Sequence, residues 1–219
     1  MQSRRAMSLC CLLSLSLSVL AGAAPAKYPE TIAVMQAALT GELLAHARYL
    51  AYAQKARDEK YPSLALFATS LGASEAIHAR NFMKALKDLG APVDSSVPGF
   101  QVGDTRTNIK NASTAEMNEI DTRYPQWLAR IDPEGYSPAI DALGHAWQAE
   151  KQHRDMIAKL NAATGSLFGL VGKTVEASAF RYFVCQNCGS TLEYAKLPKE
   201  SCPICGVPVT NYKEVVAGS

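Results

Sequence analysis

Glu75-Ala76-Ile77-His78 and Glu150-Lys151-Gln152-His153 repeat one pattern, a glutamate followed three residues later by a histidine. A step of three returns to the same face of an α-helix, so each pair projects a carboxylate and an imidazole in one direction. The chain holds only 4 histidines, and half of them obey this spacing. The surroundings of both pairs are helical: Leu64, Phe67, Leu71, Ile77 and Phe82 form the apolar side around the first. Ile140, Leu143, Trp147, Ile157 and Leu160 form it around the second.

Working outward, the helix carrying Glu75 opens at Pro62-Ser63 and stops at Gly90-Ala91-Pro92. Before it, Ile32, Met35, Leu39, Leu43, Ala47 and Leu50 mark a first helix from Tyr28 to about Asp58. After it, a Pro/Gly/Val-rich stretch from Pro92 to Gly103 is long enough to cross over along a bundle. A third helix, capped by Asp104 or Thr105, is expected through Ile109, Ala112, Met117 and Ile120 to about Ile131, kinked at Pro125. Asp132-Pro133-Glu134-Gly135 is a turn, and the helix carrying Glu150 runs from Ser137 to about Ala163. Four amphipathic helices with one long crossover predict a mainly α chain whose residues 27–165 form a ferritin-like four-helix bundle.

The other two helices bring acidic residues to the same interior. Glu42 sits beside apolar Leu39 and Leu43, and Glu116 and Glu119 stand three apart. Any one of these glutamates alone would pass for an exposed helix charge. Together, five carboxylates and two imidazoles facing a core would cost several kcal/mol per uncompensated ion, enough to consume the ~5 to 15 kcal/mol stability of a domain. Two divalent cations remove that cost, and a carboxylate-imidazole donor set suits iron or manganese. Tyr49, seven residues after Glu42, and Tyr124, five after Glu119, are candidates to hydrogen-bond the bound carboxylates. His46 and His145 are read as ordinary packing or surface histidines.

Beyond Gly172 the period changes. Residues 180–184 and 207–212 are expected as short strands around Cys185-Gln186-Asn187-Cys188-Gly189 and Cys202-Pro203-Ile204-Cys205-Gly206. Residues 180–219 are too few for an apolar core, and four thiolates from two Cys-x-x-Cys knuckles make a tetrahedral metal cage. The spacing does not choose between iron and zinc, and two disulfides are a third reading. Residues 166–179 read as a linker.

Composition excludes other classes. With 22 basic against 20 acidic residues, a net charge of +2 offers no field for nucleic acid. Arg4-Arg5, an apolar run from Met7 to Leu20 and the small residues of 21–26 read as a cleaved signal peptide over residues 1–26, hence an exported, periplasmic protein. The run is shorter than a spanning helix, so no stable membrane insertion is expected after cleavage.

These residues carry a resemblance. Gly41-Glu42, Glu75-x-x-His78, Glu116-x-x-Glu119 followed by Tyr124-Pro125, Glu150-x-x-His153 and the paired cysteine knuckles stand in the order and spacing of the rubrerythrin family. The match covers nearly everything from Tyr28 to Val215. It implies a di-iron site bridged by Glu75 and Glu150, with Glu42 and Glu116 terminal, His153 on the second iron, and Glu119 and His78 exchanging on the first as the redox state changes. It further implies a rubredoxin-like iron on Cys185, Cys188, Cys202 and Cys205. The implied activity is reduction of hydrogen peroxide to water, in protection against oxidative stress, with electrons relayed through the four-cysteine iron. An electron donor, periplasmic for an exported chain, and a homodimer are implied as partners. A ferroxidase or iron-storage bundle is the alternative function, and a zinc-stapled bundle without turnover a third.

Overall fold

A computed structural model describes residues 27–164 and 180–216; the expected signal peptide and linker lie outside the described residues. Five α-helices come first: α1 (Pro29–Asp58), α2 (Pro62–Asp88), α3 (Thr105–Asn118), α4 (Tyr124–Ile131) and α5 (Ser137–Thr164). Between α3 and α4 lies one π-helical turn, Glu119–Arg123, so α3, the turn and α4 together make the third rod of a four-helix bundle. Prolines stand in the first turns of α1 and α2, where a missing N–H costs nothing. Asp104 caps α3 as expected, accepting from Thr107 N at 2.7 Å. The crossover is tied down by Gln36, whose amide nitrogen donates to Asp94 O and whose amide oxygen accepts from Asp94 N.

Apolar side chains fill the bundle in two separate clusters. One gathers Met35, Leu39, Phe82, Leu86, Ile131 and Leu143. The other gathers Tyr52, Phe67, Leu71, Ala112 and Ile157. Burying each large side chain contributes about 1.5 to 3 kcal/mol. Each of the four rods leaves a gap between its contributions to the two clusters, and in that gap stand the candidate ligands. Two expected core positions are on the outside: Leu50 and Met117 are 40% and 51% exposed. Met117 follows Glu116, and turning that carboxylate inward turns its neighbour about 100° away.

The C-terminal part is a three-stranded antiparallel sheet of order β2-β1-β3, with β1 (Tyr182–Cys185), β2 (Thr191–Glu193) and β3 (Tyr212–Glu214). Both strand expectations shift. Phe180 and Arg181 precede β1, β2 went unread, and Val209–Asn211 is a 3₁₀ turn leading into β3. The expected strand at 207–212 contains Pro208, which can donate no ladder bond and here makes only an isolated bridge with Ser201. The mainly α ferritin-like bundle with a small rubredoxin-like knuckle domain is thus the observed architecture, and none of the described helices is long and apolar enough to cross a membrane.

Candidate metal centres

Glu42 from α1, Glu75 and His78 from α2 and Glu150 from α5 bring donor atoms within 4.8 Å of one another, as do Glu75, Glu116, Glu150 and His153. Glu75 and Glu150 belong to both groups, so the two sets share two carboxylates. All six residues are 4% exposed or less.

Hydrogen bonds fix which atoms are free. Tyr124 donates its hydroxyl to Glu42 Oε1, and Tyr49 donates to Glu116 Oε1 at 2.5 Å. Each of these two carboxylates thus has one oxygen pinned and the other, Glu42 Oε2 or Glu116 Oε2, without a hydrogen-bond partner. Both oxygens of Glu75 and Oε1 of Glu150 are likewise unpartnered. Buried acceptors are rarely left so.

The histidines complete the count. His78 Nε2 lies 3.1 Å from Cys188 O, a pure acceptor, so it carries the proton. Its Nδ1 lone pair then faces Glu75 and Glu150 at 3.0 Å and Glu42 at 3.6 Å. His153 Nε2 lies 3.3 Å from Thr191 Oγ1, whose own proton goes to Gly189 O. Nε2 of His153 is therefore the donor, and its Nδ1 lone pair faces Glu150 and Glu75 at 3.0 and 3.3 Å. Imidazoles that donate one N–H to an oxygen acceptor and aim the other nitrogen at carboxylates are arranged as metal ligands.

Electrostatics agree that the protein alone does not balance the site. Burial pushes the Glu42 carboxyl up to about 7, despite opposing contact with His78. Burial and then Glu150 hold Glu116 well above the usual range, and burial and then Glu42 do the same for Glu119. Burial opposes charge on His153, yet the Glu75 and Glu150 carboxylates raise it to about 10, the same pull that would hold a cation at Nδ1 in place of a proton. Burial also opposes the charge on Glu150, but His153 and His78 outweigh it and hold that carboxyl well below its ordinary value. A pair of divalent cations would satisfy the orphaned oxygens and both lone pairs at once.

Glu119 stands apart from this set. It belongs to neither ligand group; its side chain pairs with Arg123 at 3.4 Å and is 18% exposed. It lines a cavity of about 120 Å³ with Glu116, Tyr49, Arg48 and Arg123, an opening from solvent beside the second ligand group. The π turn explains the geometry of this rod. Tyr49 follows Glu42 by seven residues, while Tyr124 follows Glu116 by eight. The wider turn absorbs the additional residue, so Tyr124 returns to the interior and mirrors Tyr49 across the site. Both tyrosines are candidates from the sequence to hydrogen-bond such carboxylates, but the spacing that pairs Tyr124 with Glu42 is invisible without the π turn. His46 is a packing residue as expected, its Nδ1 2.7 Å from Gly72 O, where α1 and α2 approach closely.

In the knuckle domain the four sulfurs lie within 4.8 Å of one another, with Cys185 Sγ 3.8 Å from Cys205 Sγ and Cys188 Sγ 3.6 Å from Cys202 Sγ. Those separations fit a tetrahedral ion with metal–sulfur bonds of about 2.3 Å and are too long for disulfides. The two knuckles repeat one turn: Gly189 N donates to Cys185 O and Gly206 N to Cys202 O, each glycine with positive φ.

Sequence reasoning missed the residues that dock this cage on the bundle. Ser74 donates to Gly189 O at 2.6 Å, Asn81 to Asn187 O at 2.8 Å, and Gln152 accepts from Ser190 and from Thr191 N. Most of these partners are backbone atoms, which no side-chain motif announces.

The family profile described as Rubrerythrin matches residues 33–161. Rubrerythrin-2 of Clostridium acetobutylicum is 30% identical over 185 residues, covering 83% of this chain and 94% of that protein. Rubrerythrin of Clostridium perfringens is 29% identical, covering 82% of this chain and 91% of its own length. A solved structure of nigerythrin in its fully reduced, all-ferrous state superposes with a TM-score of 0.71 at 22% identity, covering 84% of this chain and 86% of that one; it shares the fold. The chain therefore belongs to the rubrerythrin family, and its two donor sets are a carboxylate-bridged di-iron centre and a four-cysteine iron centre.

Proposed function

We propose that this protein is a peroxidase that reduces hydrogen peroxide to water, taking electrons through its four-cysteine centre. The observation that carries the reading is the single hydrogen bond joining the two centres: His78 aims Nδ1 into the di-iron donor set while its Nε2 donates to the carbonyl of Cys188. In this reading Glu75 and Glu150 bridge, Glu42 and Glu116 are terminal, and His78 and His153 ligate through Nδ1.

When bound, the iron pair supplies two electrons to hydrogen peroxide, which takes up two protons and leaves as two waters. The chain's own residues prepare that event. Tyr49 and Tyr124 keep their protons, burial and the adjacent carboxylates raising both phenols well above their ordinary values, and so hold Glu116 and Glu42 by one oxygen each. The cavity at Glu119 admits a small substrate and little else. Glu119, outside both ligand groups, would exchange with His78 on the first iron as the redox state changes. Ser74, Asn81 and Gln152 hold the cage against α2 and α5, so electrons arriving at Cys188 have a short bonded path inward. Iron oxidation or storage, the other use of such a bundle, has no need of this relay.

The donor that reloads the knuckle, a homodimeric assembly and export to the periplasm belong to the same reading. The decisive experiment mixes the iron-loaded, fully reduced protein with hydrogen peroxide. Expected is rapid oxidation of two bundle electrons, followed by appearance of ferric-thiolate colour as the knuckle refills the bundle. Slow oxidation, or a knuckle that carries zinc and no such colour, would sink the proposal.

A further inference from the structure

A hydrogen-bonded chain runs from α5 to one sulfur of the cage, and its protons do not suffice for its contacts. Tyr212 Oη lies 3.2 Å from Cys202 Sγ and 2.8 Å from Ser190 Oγ. Ser190 Oγ in turn lies 3.0 Å from Gln152 Oε1. That Gln152 atom also accepts from Thr191 N at 3.2 Å, which settles it as the oxygen. Three contacts among hydroxyls, sulfur and amide oxygen thus share two protons, one on Ser190 and one on Tyr212. Gln152 Oε1 can only accept, so the Ser190 proton is drawn to it. Tyr212 is left to divide its single proton between Ser190 Oγ and Cys202 Sγ. Ser190 is fully buried and Tyr212 is 8% exposed, so water offers little relief.

We infer that Tyr212 is a positioning residue for electron transfer, whose hydroxyl sets the reduction potential of the four-cysteine iron by donating to Cys202 Sγ, and that Ser190 competes for the same proton. The inference rests on iron in the knuckle. Reduction adds one electron, and the added negative charge spreads onto the four sulfurs. A donor to sulfur therefore stabilises the reduced form and raises the potential. Gln152 lies between Glu150 and His153, so the competition is set by the contact that docks the cage. A knuckle lifted off the bundle would return the Ser190 proton to Tyr212, release the Tyr212 proton to the sulfur and hold its electron more tightly. Docking thus favours release of the electron where the di-iron centre can take it.

Two variants of the iron-loaded full chain test this, with the potential read by titration of the ferric-thiolate absorbance. Tyr212→Phe removes the donor and keeps the ring. Its one-electron reduction equilibrium should fall by about tenfold, which is 59 mV for such a couple. Ser190→Ala removes the competitor, and its equilibrium should move several-fold the other way. Opposite shifts from two small changes in one buried chain are not what loosened packing would give. A Tyr212→Phe potential equal to or above the parent overturns the inference, as does a lowered one in Ser190→Ala. Should Tyr212→Phe lose its iron, the sign in Ser190→Ala alone decides. If the parent shows no ferric-thiolate absorbance, the iron reading fails and this inference with it.

Discussion

Glu119 and Gly189 are the residues on which the two halves of the proposed cycle turn. Glu119 holds Arg123 and lines the entry cavity while contributing to neither ligand group. Glu119→Ala should therefore keep iron in both centres and slow peroxide-driven oxidation by tenfold or more, about 1.4 kcal/mol of barrier; stopped-flow mixing with iron analysis checks it, and unchanged turnover removes Glu119 from the mechanism. Gly189 acts on the other half. A Cβ there would collide with His78 Nε2 and lie 2.7 Å from Ser74 Oγ, on a backbone with φ of +80°. Gly189→Ala should push the cage off α2 at a cost of about 1 to 3 kcal/mol. Electron passage from knuckle to bundle should slow at least tenfold, while bundles reduced chemically beforehand react with peroxide at the parent rate.

At the scale of elements, the start of α1 offers a clean test of electrostatics away from the metals. Glu134, at the turn before α5, accepts from Glu30 N, Thr31 N and Thr31 Oγ1 at 2.7 to 2.9 Å, closing the open N-terminus of a helix distant in sequence. Slight burial works against its charge, but Thr31 and the backbone amides outweigh it and hold the carboxyl below 4.5. A folded-state value below the unfolded one contributes stability that is complete above about pH 5 and is lost as pH falls through 4.5 and below. Glu134→Gln should cost about 1 kcal/mol at pH 7, and the difference from the parent in denaturant titrations should shrink as pH falls below 4.5. The elements were largely legible in the sequence, because apolar steps of three and four and the Pro, Gly and Asp stops are local signals. Of the seven candidate ligands six are gathered together, since Glu-x-x-His is a statement about one helix face, whereas Glu119 stands outside both groups. The π turn was not: Glu119–Arg123 has no composition of its own, and only the partners of Tyr124 show that the rod has gained a residue. β2 was missed because three residues between two knuckles carry too short a pattern to read.

At the scale of the whole molecule, the two domains differ in what holds them, and the docking ties their fates in one direction. The bundle has two apolar clusters that include none of the candidate ligands. The knuckle's buried cluster is Cys185, Cys188, Cys202 and Tyr212, so its centre is the metal cage itself. A domain of this kind folds with its ion. None of this coupling was readable beforehand, because His78 and His153 are capped by Cys188 O and Thr191 Oγ1, atoms that only the assembled fold brings near. Chelation should accordingly unfold residues 182–214 while α1, α2 and α5 remain helical, and it should uncover Nε2 of both histidines. Hydrogen exchange on the full chain reads the outcome: amide protection in β1, β2 and β3 should be lost by orders of magnitude on removal of iron, with protection in α1 and α2 falling far less. Refilling the cage with zinc should restore the strands, their docking and the histidine caps, yet leave the bundle unable to draw electrons from outside. Equal loss of protection in bundle and knuckle would show that the carboxylate site, and not the apolar clusters, holds the helices together.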